Sequence, residues 1–227
     1  ILTRLVGSEM CIRDRYEMHT VEQLGLLKMD FLGLRNLSIV DRTLELIGSE
    51  SLDIDNLKLD DEKTFKLFAE GKMTGVFQLE SRVAQSTSRS LKPKRFEDIV
   101  ALVALIRPGP LGAGMHNEFA DRANNRKEIE YLHSDLESIL NETYGVILYQ
   151  EQVMQIAEKI AGFNLQEADN LRVAMGKKIP KVMEEQRKKF TDGAVSNNYS
   201  EQFAIELFDQ IAYFAGYGFN KSHSVPY

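Results

Sequence analysis

The sequence has a single cysteine, Cys11, in 227 residues, which excludes a disulfide frame and any zinc site built on several thiolates. That scarcity accords with a reducing compartment. No run of eighteen apolar residues exists, so no segment reads as a membrane span. There is no signal-peptide pattern, no internal repeat and no low-complexity linker. Net positive charge is also lacking: the formal charge is -6, which on average argues against a nucleic-acid binder.

The average conceals segregation. Asp41 to Glu70 holds nine acids and four bases, whereas Leu171 to Phe190 holds seven bases and two acids. Ser81 to Arg107 adds six bases against two acids. Two basic stretches can therefore meet phosphate while the whole chain stays acidic; solvated helix faces are the alternative account. With 43% hydrophobic residues, the chain can bury a core as one large or two small domains.

Periodicity predicts a mainly helical chain with a few short strands. Asn36 is positioned to cap a helix through Leu37, Val40, Leu44 and Ile47, stopped by Gly48. Asp60 or Asp61 caps a second, and further helices are expected from Ser81 to about Ser90 and over 96–105. Arg107-Pro108-Gly109-Pro110 is expected to be a rigid turn, because both prolines lack a donor. Ser134 with Glu137 reads as a capping box, Val146 to Tyr149 as a short strand, and Gln150 to Ala161 as an amphipathic helix ended by Gly162. Asn164 with Glu167 caps a helix to about Met175; Gly176-Lys177-Lys178 is expected to turn. Pro180 opens a basic helix to about Asp192. A last helix spans about 201–214, before Gly216 to His223.

Residues 1–15 look unlike the rest of the chain and resemble translated sequencing-adaptor read-through, so they are expected to be a non-native leader. The chain is expected to be a piece cut at both ends.

Candidate chemistry is sparse. Asp30 closes an apolar lead-in and is framed by Lys28 and Gly33; a helix cap, a plain loop and a metal ligand all suit it. Asp53-Ile54-Asp55 has the spacing that holds two metals on a strand, but it lies in an acidic loop and reads as solvated. Gly176-Lys177-Lys178 lacks the earlier glycine of a P-loop, since Leu171 stands there. Arg172, Lys177, Lys178 and Lys181 nonetheless bracket one turn, which either grips a triphosphate or is solvated. The four histidines show no metal spacing, and His223 follows Lys221 and Ser222 as a third polar donor.

Six segments occur in a telling order: Lys28 to Arg35, Gly75 to Ser81, Arg107 to Pro110, Tyr149 to Met154, Ala174 to Lys178, and Gly216 to His223. Over about residues 16–227 the chain resembles the C-family replicative DNA polymerases, the alpha subunits of bacterial DNA polymerase III. The resemblance implies a helical fingers domain, residues 36–227, attached to the edge of a polymerase-beta-like nucleotidyltransferase palm whose end is residues 16–35. It implies that Asp30 is the third metal aspartate, catalytic with two Mg2+ ions, the other two aspartates lying upstream. Lys28 then lies near the triphosphate. Arg172 is similar to fingers residues that grip the incoming nucleotide, and Ser81, Arg107, Lys177, Lys178 and His223 are carried over as members of its motifs.

Implied partners are primer-template DNA, deoxynucleoside triphosphates, a sliding clamp and a proofreading exonuclease, in a bacterial cytoplasm. Alone, the chain lacks two metal carboxylates and is expected to be inactive. Val173 stands where the family usually has a second arginine, and Ile106 where it usually has tyrosine. Val83 to Ser88 departs from the usual glycine-methionine helix start. Val173 keeps open a non-catalytic helical nucleic-acid-binding module from a degenerate paralogue; a purely structural helical protein is the third reading.

Overall fold

The computed structural model describes residues 18–26, 35–48, 53–177, 180–215 and 218–225. The chain divides into two units, Ile1–Asp53 and Ile54–Tyr227. The first carries helices α1 (Met18–Gln23) and α2 (Asn36–Ile47). Gly48 ends α2 as expected, with φ 65° and its N–H bonded to the Leu44 and Glu45 carbonyls. Asn36 is not the cap: Arg35 holds that position, without a side-chain hydrogen bond.

The second unit is mainly helical. In order come α3 (Glu62–Ala69), α4 (Arg82–Leu91), α5 (Phe96–Leu105), α6 (Pro108–Gly112), α7 (Met115–Ala123) and α8 (Glu137–Leu140). Then follow α9 (Gln150–Ala161), α10 (Leu165–Lys177), α11 (Pro180–Ser196), α12 (Glu201–Ala215) and α13 (Lys221–Ser224). Short 3-10 turns lie at Ile54–Asn56, Ser134–Leu136 and Asn141–Thr143.

Local chemistry explains most boundaries. The Asp61 carboxylate accepts from the Thr64 N–H and hydroxyl, both at 2.7 Å, and starts α3. Asn164 and Glu167 exchange side-chain to backbone bonds of 3.0 and 2.9 Å, the reciprocal box expected for α10. The box expected at Ser134 does not form. His133 Nδ1 accepts from the Asp135 N–H at 3.2 Å instead, and a 3-10 turn precedes α8.

One expected turn is helical, and a helix runs into a second, whose Lys178 lies outside the described residues. Pro108 opens α6 rather than a bare turn: it is a first helical residue, whose missing N–H would have had no acceptor. α10 runs through Gly176 to Lys177, and α11 extends past Asp192 to Ser196.

The expected strand at Val146 to Tyr149 is an extended segment with one isolated parallel bridge, Tyr149 to Phe219. A side chain replaces the neighbouring strand. Gln152 Oε1 accepts from the Leu148 and Tyr149 N–H groups, each at 2.9 Å. Its amide Nε2 donates to Thr143 Oγ1 at 2.8 Å and to the Ile139 carbonyl at 3.3 Å, so this buried amide is fully partnered.

This segment also joins two cores. Its alternation sends Val146 and Leu148 into a cluster built on α5, and Ile147 into one built on α9. α5 is apolar nearly all round, with every residue from Val100 to Leu105 buried. α9 presents Val153, Ile156, Ala157 and Ile160 to α10, α11 and α12. Each isoleucine there contributes about 1.5–3 kcal/mol by burial. α11 approaches α9 closely at Gly193, where a Cβ would stand 2.2 Å from the Ala161 carbonyl oxygen.

Candidate functional site

The bridge to Phe219 returns the C-terminal motif to the start of α9. Phe219 N–H donates to the Leu148 carbonyl at 3.1 Å, and Gln150 N–H donates to the Phe219 carbonyl at 2.9 Å. Asn220 then caps α13, its Oδ1 accepting from the His223 N–H at 3.1 Å. The Glu151 carboxylate accepts from the Lys221 N–H through both oxygens at 3.0 Å. The Lys221 ammonium reaches Glu142, and the buried Ser224 hydroxyl donates to the Val100 carbonyl at 2.7 Å. α13 is thus fastened to α5, to α9 and to the turn before α9.

Arg107 lies just beyond α5. Its guanidinium carbon sits 4.3 Å from the centre of the Phe219 ring, and its Nε donates to the Ala104 carbonyl at 3.1 Å. Burial pushes this guanidinium below its ordinary pKa, yet it remains cationic at neutral pH. The His223 ring lies 5.7 Å from the same Phe219 ring. One aromatic side chain therefore gathers a planar cation and an imidazole, a pair suited to an anionic, hydrogen-bonding ligand.

The shell behind the cluster is polar and largely satisfied. Buried Asp98 accepts from the Lys94 N–H at 2.9 Å, Arg95 Nε at 3.2 Å and the Tyr144 hydroxyl at 2.8 Å. Arg95 also donates to the Glu142 carbonyl at 2.6 Å and stacks 4.9 Å from the Tyr144 ring centre. Burial, with Asp98 alongside, pushes the Tyr144 phenol up to about 12. Burial, then the Glu142 and Glu151 carboxylates, raise Tyr149 as well.

Of the sequence-derived candidates, Arg107 and His223 are brought together. Ser81 is the N-cap of α4, accepting from the Ala84 N–H at 3.1 Å. Arg172 lies in α10 and pairs with Asp169, both Nε and Nη2 reaching Oδ1 at 2.8 Å. That pair is about one-third exposed and so contributes about 1 kcal/mol or less, which a phosphate can outcompete. Lys177 ends α10. Asp30, Lys28 and Lys178 lie outside the described residues. Asp55 falls in the 3-10 turn Ile54–Asn56. Among the described residues no group of three or more His, Cys, Asp or Glu side chains could hold a metal.

Sequence reasoning missed Phe219 as the platform and Glu142 as the partner of Lys221. Both tie together positions far apart in the chain, and no local pattern announces them.

A family model described as the bacterial DNA polymerase III alpha subunit finger domain matches residues 36–198, and the chain belongs to this family. Its relatives include alpha subunits of DNA polymerase III. It is 48% identical over 225 residues to DNA polymerase III subunit alpha of Escherichia coli (strain K12), covering 94% of this chain and 19% of that protein. The same subunit of Bacillus subtilis (strain 168) is 47% identical over 226 residues, covering 97% of this chain and 20% of the relative. That of Halalkalibacterium halodurans is 51% identical over 214 residues, covering 92% and 19%. The chain spans about a fifth of the length of these relatives. Among the described residues, no helix is long and apolar enough to cross a membrane.

Proposed function

We propose that residues 16–35 end the palm, and residues 36–227 form the fingers, of a DNA-directed DNA polymerase in the bacterial cytoplasm. It adds deoxynucleotides to a primer 3′ end by two-metal phosphoryl transfer. The observation that carries this reading is the gathering of Arg107 and His223 on Phe219, in a chain of this family.

Asp30 holds magnesium together with carboxylates from elsewhere in the polymerase. Its oxygens are hard donors suited to Mg2+, and one carboxylate does not make a two-ion site. When bound, the ions activate the primer hydroxyl and neutralise charge on the α-phosphate. Lys28, Arg107, Arg172, Lys177 and Lys178 place cations against the triphosphate as charge develops on the leaving pyrophosphate. Ser81 and His223 supply hydrogen bonds that orient it. Primer-template duplex is held through its backbone without sequence preference. The sliding clamp and the proofreading exonuclease are partners of the whole polymerase.

The test is modification of the full polymerase with reagents for lysine and arginine. Deoxynucleotide with Mg2+ should slow labelling of Lys177, Arg107 and Arg172; equal rates with and without nucleotide reject the reading. The isolated chain should give no template-dependent primer extension. A second reading, a non-catalytic nucleic-acid-binding module, draws on Val173, next to Arg172 in α10. Duplex binding by the full protein with no incorporation would select it.

A further inference from the structure

We infer that the groove between α12 and the wall made by α7 and residues 130–147 is a docking surface for a basic, amphipathic segment of a protein partner. The groove encloses about 1000 Å3. Its floor is apolar and includes Leu132, Leu136, Val146 and Phe214. Its rim is acidic: Glu118, Glu130, Glu201, Glu206 and Asp209 line it beside one cation, Arg122.

Two of these carboxylates are already neutralised. Glu118 pairs with Arg122 at 2.7 Å and Lys127 at 2.9 Å, and Asp209 pairs with Arg187. Glu130, Glu201 and Glu206 are exposed and have no such partner among the described residues. Ile205 and Tyr213, which also line the groove from α12, are 37% and 57% exposed. At these spacings Glu201, Ile205, Asp209 and Tyr213 follow one helix face, so α12 shows the groove a mixed apolar and acidic stripe. Apolar side chains held open in a concave surface with a charged rim mark an interaction site.

The charge selects the occupant. Unpaired carboxylates repel phosphate, so the groove rejects nucleotide and DNA. A small polyamine would meet the rim but leave the floor wet. A polypeptide segment whose large apolar side chains enter the floor while its lysines or arginines meet Glu130, Glu201 and Glu206 satisfies both. The groove shares no residue with the Arg107, Phe219 and His223 cluster, so this inference stands apart from the nucleotide reading.

Fluorescence anisotropy on the full chain tests it. The probe is a synthetic labelled peptide of about 14 residues with leucine and lysine at helical spacing. The unaltered chain should bind it saturably. The pair E130K/E206K should weaken binding at least about tenfold. The pair E184K/E185K makes the same change in net charge at exposed positions of α11 that do not line the groove, and should leave affinity within about twofold. Ile205→Ser should weaken binding with unchanged helical circular dichroism. Absence of saturable binding overturns the inference. So does equal loss in the two charge-reversed pairs, or displacement of the probe by spermidine or duplex DNA as readily as by unlabelled peptide.

Discussion

The Lys221 ammonium lies 2.6 Å from a Glu142 carboxylate oxygen, 79 residues earlier in the chain. Both side chains are about one-third exposed, at 34% and 30%. This pair, with Glu151 on the Lys221 N–H, holds α13 and hence His223 in place. Lys221→Ala should therefore lower stability by about 1 kcal/mol, since a half-solvated pair contributes little more. Urea unfolding measures this. A double-mutant cycle with Glu142→Ala should recover most of that loss as coupling. Independent, additive losses would show that α13 is held by Glu151, Ser224 and the Phe219 backbone without help from the ion pair.

Gly193 sits inside α11, where glycine is a poor helix former, so only packing explains it. An added Cβ would meet the Ala161 carbonyl oxygen at 2.2 Å, and backbone cannot swing aside as a side chain can. Gly193→Ala should cost about 1–3 kcal/mol despite the better helix propensity of alanine. Chemical denaturation gives the sign. A stabilised protein would mean that α11 does not lie so close to α9.

Tyr144 links the buried Asp98 to the helical core and ionises late, at about 12. The folded value exceeds the unfolded value of about 10, so the folded state holds its proton more tightly. Stability from this group is complete below about pH 10 and is lost as pH rises through about 12. Absorbance titration should show two phenolates ionising near 12, Tyr144 and Tyr199, and Tyr144→Phe should remove one of them. Unfolding midpoints of the wild type should fall more steeply than those of Tyr144→Phe between pH 10 and 12, a window set by the same value. Parallel curves would place the phenol in solvent.

The helices over 96–105 and 150–161 were legible because their signals are local: periodic apolar residues, and a glycine at φ 68° after the second. Helix starts were harder. Pro108 breaks a helix from within but opens one from its first position, and composition alone does not say which. Gly176 looked like a turn because glycine is a poor helix former, yet the helix propagates through it to Lys177. Val146 to Tyr149 had the composition of a strand. What it lacked was a partner strand, and Gln152 supplies the missing acceptor. For the site, the motifs were visible as strings, and the contact of Arg107 with Phe219 was not. That contact depends on how α5 meets the end of the unit, which is long-range packing.

Phe219 offers the most direct test of the nucleotide reading. Its ring lies under the Arg107 guanidinium and near His223, while its backbone forms the bridge to Tyr149. Substitution removes the platform and leaves the backbone bonds in place. In the full polymerase, Phe219→Ala should reduce kcat/KM for deoxynucleotide about tenfold, about 1.4 kcal/mol of transition-state stabilisation. Phe219→Tyr keeps the ring and should restore most of it. Phe219→Leu keeps bulk without a π face and should fall between, because a half-exposed cation-π contact contributes about 0.5–1 kcal/mol. Steady-state incorporation with varied nucleotide separates the outcomes. If Phe219→Ala raises KM for primer-template and not for nucleotide, Arg107 and His223 serve the duplex rather than the triphosphate.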